Sequence, residues 1–313
     1  MDAVMHAFSG IVTVFIIIAT GFVLSKRGWF DDKSTSLIAN LVTQITLPTY
    51  MMANILNNFT HDSLLALSRG LPIPILSMSI GYGIGHLVAR LIHVQAQRRG
   101  IFCSVFFLSN VIFIGLPLSL ALFGESCTPY VMVYYMVNTS FFWVIVAHDI
   151  AVDGGVKAPL ISKQTVKAVL SPPLLGFIFG VAFVLLGWSL PKPVLQSFTY
   201  IGNMTTPLAM FFIGIAISKT NWNEIKLDRE IIVAMGGRYL VSPLIVLALV
   251  PYFAVPHLMT ESFVMLSAMP AMTNTSIVAK YYGADYKYAA ILTVVSTCLA
   301  VVFIPFYMWV LRG

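Results

Sequence analysis

Apolar residues fill this chain in runs of about twenty, and polar residues gather in the short stretches between them. Such a run, coiled as a helix, crosses about 30 Å of hydrocarbon. Ten runs have this character: Val4–Leu24, Ser36–Leu56, Leu71–Leu91, Ile101–Phe123, Tyr130–Val152, Val166–Leu186, Phe198–Ser218, Ile231–Val250, Leu258–Tyr281 and Tyr288–Leu311. The pattern predicts an all-α membrane protein of ten transmembrane helices. The first run has no basic stretch before it and no small-residue cleavage site after it, so it reads as a retained span. No connection is long enough to hold a soluble domain.

The basic residues test that count. Connections after odd-numbered spans hold 14 of the 18 Lys and Arg, among them Lys26, Arg98, Lys163, Lys219 and Lys280, while the other side holds Arg69, Lys192 and Arg312. Basic residues favour the cytoplasmic side. Both termini are therefore expected outside, and one missed span would scramble the alternation. Composition agrees: charged residues make up 10% of the chain, against about 25% in soluble domains, apolar residues 58%, and the mean hydropathy is +0.89. The net charge of +6 thus sets orientation and does not signal nucleic acid. Cys103, Cys127 and Cys298 lie far apart, so neither a disulfide framework nor a metal site is indicated.

Prolines reveal a weak repeat. Pro48 in span 2 and Pro207 in span 7 are offset by 207 − 48 = 159 residues, and Pro117 in span 4 and Pro270 in span 9 by 270 − 117 = 153. Five spans per half is an odd number, so the second half must enter the membrane upside down. Residues 1–152 form one repeat, 153–165 a short cytoplasmic link, and 166–313 the inverted second repeat. Inverted repeats with interrupted helices in matching places are a signature of secondary transporters.

Two stretches carry the candidate chemistry. "SNVIFIGLP" runs from Ser109 to Pro117, and "SAMPAMTNTS" from Ser267 to Ser276. A proline inside a span frees backbone groups that only protein or a watery cavity can satisfy. Breaks at Gly115 and Pro117 in span 4, and at Pro270 in span 9, would set two half-helix ends facing each other near mid-bilayer. Helix N-termini suit anions. Asn110 and Asn274 add amide donors and Thr273, Thr275 and Ser276 add hydroxyls, which together suit a small carboxylate. Ser109 and Thr139, taken singly, read as helix-to-helix glue. Arg238, inside span 8, either attracts the anion, pairs with a carboxylate, or snorkels to the interface. His86 and His148 read as core or interface histidines, Asp149 and Asp153 as a solvated span end. "GYGIGH" lies within a span, so its glycines read as packing positions.

These stretches resemble the auxin efflux carrier family. "SNVIFIGLP" is similar to its first crossover and "AMPAMTNTSIVAKYYG" to its second. "ITLPTYMM" matches its second-span proline, "LAMFFIGIAIS" its seventh span, and "GRYLVSPLIV" its eighth, with Arg238 on the matching arginine. The resemblance implies two inverted five-span repeats in which helices 4 and 9 cross. A scaffold of spans 1, 2, 6 and 7, with Pro48 and Pro207, would face a transport unit of spans 3–5 and 8–10. It also implies elevator-type motion, homodimers through the scaffold, no cofactor, and a small organic anion as substrate. Plant members export indole-3-acetate and have a long central loop; the short link here resembles the bacterial and archaeal branch, associated with malate and malonate, in the prokaryotic cell membrane. Proton or sodium coupling stays open. The alternatives are an auxin-type efflux carrier, and a sodium-coupled bile-acid-type symporter, which would call for more acidic ligands. An intramembrane enzyme lacks its nucleophile–base pair, carboxylate dyad or metal motif, and a passive channel lacks its pore rings.

Overall fold

The structure, a computed structural model, describes residue 13, residues 16–61, 64, 67–156, 166, 170–219 and 228–312. The start of the first apolar run and most of the 153–165 link lie outside the described residues. Helices, in chain order, are α1 (Ile16–Lys26), α2 (Asp32–Leu41), α3 (Leu47–Asn58), α4 (Pro72–Leu91), α5 (Arg99–Phe107), α6 (Leu116–Phe123), α7 (Thr128–Phe141), α8 (Ala147–Asp153), α9 (Pro172–Leu185), α10 (Lys192–Asn203), α11 (Thr205–Ser218), α12 (Arg229–Gly236), α13 (Ser242–Leu249), α14 (His257–Ser267), α15 (Asn274–Tyr282) and α16 (Tyr286–Arg312). Among the described residues there is no strand, only an isolated bridge between Ser109 and Ala271. Each of the ten apolar runs holds helix. Among the described residues, five stretches are continuous and apolar enough to cross a membrane alone: Ser68–Leu91, Glu125–Asp153, Lys192–Ser218, Arg229–Tyr252 and Tyr286–Leu311.

Proline shapes several of the helices. Three π turns, Val42–Thr46, Val111–Gly115 and Gly237–Val241, stand just ahead of Pro48, Pro117 and Pro243. A proline ring presses on the carbonyl four residues back, and here that carbonyl belongs to the π turn. Widening the turn to i→i+5 bonding relieves the clash without ending the helix. Leu47 N–H accordingly reaches Val42 O, and Ser242 N–H reaches Gly237 O.

The described residues fall into two compact units. The first draws on Met1–Arg69, Ile112–Met132 and Leu170–Thr220. In it α3 packs along α9 and α10, and α11 packs on α2 and α6. Small residues permit the closest approaches: a Cβ on Gly176 would lie 2.3 Å from Pro48 O, and one on Gly214 2.1 Å from Ile18 O. Thr205 Oγ1 donates to Thr46 Oγ1 at 3.0 Å, and these threonines are 159 residues apart, the same offset as Pro48 and Pro207.

The second unit comprises Gly70–Val111, Val133–Val169 and Asn221–Gly313. Its centre is α5, which packs on α4, α8, α12 and α16. Every residue from Gly100 to Phe107 is buried, as is nearly all of α14. Both helices are thus interior elements, and they lead into the interruptions. At one end of this unit Arg98 Nε donates to Asp285 at 2.8 Å, with Glu230 at 3.5 Å and the Tyr288 ring below. Burial opposes the charge on Arg98, but Asp285 and Glu230 outweigh it and hold its pKa above the usual arginine value.

Candidate functional site

The chain leaves helix twice inside the second unit. After Phe107, Leu108 turns extended (φ −91°, ψ 135°) and Ser109 and Asn110 follow before the π turn at Val111. The opening therefore lies ahead of Gly115 and Pro117. Gly115 closes the π turn and Pro117 sits in the first turn of α6, directly behind the π turn that takes up its clash. The second interruption separates Ser267 from Asn274, with Pro270 in its middle.

The two interruptions serve each other. Ser109 and Ala271 form an antiparallel bridge, and Asn110 N–H donates to Pro270 O at 2.8 Å. Each also draws a polar side chain from the second helix after it. Asn138 of α7 faces Ser109 with both ends of its amide: Nδ2 donates to Ser109 O and Oδ1 accepts from Ser109 N, each at 3.0 Å. Ser296 of α16 accepts from Ala271 N at 3.0 Å. Backbone groups released in an apolar interior are thus satisfied, as they must be. Asn138 and Ser296 had no role in the sequence reading. Asn138 left a signal, a lone amide in "YYMVNTSFF"; Ser296, in "VVSTCLA", left none.

The candidate ligands divide in this setting. Asn110 is buried at the bridge, and Thr273 and Asn274, half-buried, open the N-terminus of α15. Thr273 makes no side-chain cap bond. Thr275 is fully buried and its hydroxyl meets Ser104 Oγ at 2.8 Å, while Ser276 Oγ lies 3.4 Å from Thr293 Oγ1. Those two hydroxyls join α15 to α5 and α16. Pro48 and Pro207 sit in the first turns of α3 and α11, both in the first unit.

Arg238 occupies the π turn between α12 and α13 and is wholly buried, so it does not snorkel. Its Nη2 donates to Ser242 Oγ at 3.0 Å and to Ser267 O, the last residue of α14 before the second interruption. The negative end of α14 is a fitting anchor for a cation. Nε and Nη1 have no acceptor among the described residues, and no carboxylate pairs with the group there; Tyr134, Tyr239 and Tyr307 are its neighbours. The adjacent Gly237 lies so close to Phe106 that a Cβ would meet its ring at 2.1 Å, which ties the arginine's turn to α5 as well.

Of the remaining candidates, His86, Asp149 and Asp153 have structural partners, whereas the buried Nδ1 of His148 has none among the described residues. His86 Nε2 lies 3.2 Å from Asp149 Oδ2, Tyr82 OH donates to the same oxygen at 3.0 Å, and Asp153 accepts from Gly100 N. Asp149 and Asp153 thus engage protein groups instead of lying free at a solvated end. Among the described residues no three His, Cys, Asp or Glu gather as metal ligands.

An all-helical apolar chain with paired, internally satisfied helix interruptions has the build of a multi-pass membrane transporter. A family model described as "Membrane transport protein" matches residues 6–308, and the chain belongs to that family, the auxin efflux carriers. An uncharacterized transporter of Methanocaldococcus jannaschii is 23% identical across 96% of this chain and 97% of its own. One from Methanothermobacter thermautotrophicus is 22% identical, covering 98% and 99%. A candidate malonate transporter of Rhizobium meliloti is 20% identical, covering 99% and 97%. The family is one of transporters, not enzymes.

Proposed function

We propose that the protein is a secondary transporter of small organic anions of the malate and malonate type, with the substrate carboxylate bound at the paired interruptions. The observation that carries this reading is Arg238. A guanidinium has five N–H donors, and Nε and Nη1 keep theirs unused in a fully buried position beside Ser267. A buried charge with spare donors calls for an anionic partner, because an uncompensated one costs several kcal/mol. Asn110, Thr273, Asn274 and the N-terminus of α15 supply further donors within the same unit. The malonate named for the Rhizobium relative has the right chemistry.

The architecture in this reading is ten spans in two inverted repeats, with spans 1, 2, 6 and 7 as a scaffold and spans 3–5 and 8–10 as the carrying unit of an elevator. Two observations support the repeat: Thr46 and Thr205 meet at the offset of the paired prolines, and each interruption is held by the span that follows it. Both termini lie outside, and the chain pairs with a second copy through the scaffold. Proteoliposome flux of labelled malonate, malate and indole-3-acetate tests the reading. Asn110→Ala and Asn274→Ala should abolish malonate or malate flux while leaving the protein folded. Full flux in both variants, or flux of indole-3-acetate alone, would refute it.

A further inference from the structure

A second polar cluster lies in the first unit. Glu125 stands at the turn before α7, and its Oε2 accepts from Asn54 Nδ2 at 2.8 Å and from Tyr50 OH. Tyr50 OH also lies 3.3 Å from Thr128 Oγ1. Donation to a carboxylate fixes the Asn54 amide, because the flipped form would set two acceptors together. Its carbonyl oxygen is consequently turned from Glu125, and it has no donor among the described residues although Asn54 is only 5% exposed. A buried amide oxygen left in this way costs about 1–3 kcal/mol.

Asn54 lines a cavity of about 270 Å³ together with Asn57, Asn58, Glu125, Thr199 and Asn203. A neighbouring cavity of about 460 Å³ shares Tyr50, Glu125 and Asn203. Neither cavity has a lysine or arginine in its lining, and Glu125 pairs with no base among the described residues. The lining therefore offers one negative charge, a spare buried acceptor and further amide and hydroxyl oxygens. Oxygen donors of this kind suit hard cations, and a single carboxylate suits a monovalent one better than calcium, whose sites gather several.

We propose that Asn54 and Glu125, with the neighbouring asparagines, bind a hard monovalent cation, sodium, in the first unit. The test uses the full-length protein in detergent, with radioactive sodium as the probe at constant ionic strength in choline chloride and no organic anion present. Wild type should bind sodium saturably, with displacement by unlabelled sodium and not by choline. Glu125→Gln and Asn54→Leu should weaken binding at least tenfold, whereas Asn54→Asp, which keeps a side-chain oxygen at this position, should retain it. Absence of saturable sodium binding in wild type would overturn the proposal whether or not the variants fold, as would undiminished binding in folded Glu125→Gln. Because no carboxylate substrate is present, this result and the fate of the anion reading are separable.

Discussion

A single buried cation and a handful of hydroxyls decide how the interior is read. The run Thr273–Ser276 looked from sequence like one set of ligands, since a linear chain shows polarity but not direction. In the fold, Thr275 and Ser276 point to Ser104 and Thr293, while Thr273 and Asn274 open the helix. Replacing both members of a hydrogen-bonded pair by apolar groups is nearly neutral, whereas removing one strands the other. The double change Ser104→Ala with Thr275→Val should therefore keep malonate flux near wild type. Thr275→Val alone should lower thermal stability by about 1–3 kcal/mol. Loss of flux in a stable double variant would return Thr275 to the ligand set. Arg238 was legible as an oddity in an apolar run, yet its burial and its link to Ser267 depend on a π turn that no spacing reveals.

Elements were more legible than contacts. Apolar runs of spanning length marked where helices stand, because in lipid the backbone has few other ways to satisfy itself. Proline and asparagine within those runs marked the neighbourhoods of the interruptions. The first one opens before Asn110 and not at Pro117, since a π turn absorbs the proline's clash and lets the helix run through it. What held the interruptions open was hidden, for Asn138 and Ser296 lie 29 and 25 residues from the backbone that they satisfy. Asn138→Leu strands the N–H of Ser109, whose carbonyl keeps the Val111 N–H at 3.0 Å, a loss of about 1–3 kcal/mol for the buried donor. Thermal unfolding in detergent should register it as a drop in Tm. A melting temperature equal to wild type would mean that Ser109 is satisfied some other way.

At the scale of the whole molecule, the alternation of basic connections carries a claim about sides. Gln97 and Lys192 fall in connections on opposite faces of the proposed ten-span topology, and both are exposed. Cysteines placed at each should react in turn: Lys192→Cys with an impermeant maleimide added to intact cells, Gln97→Cys only after permeabilisation. Reaction of both from one side would break the span count. Family membership and the helical, multi-pass build rest on nearly the full length of the chain, but the carried anion rests on one charged group. Malonate titrated into purified wild type and Arg238→Gln, with melting temperatures compared in the absence of ligand, addresses that group directly. Loss of charge-assisted hydrogen bonds worth about 1.5–3 kcal/mol predicts a Kd about 10–100-fold weaker in the variant. Malonate binding of equal strength in a folded Arg238→Gln would contradict the assignment of Arg238 as the anion's partner.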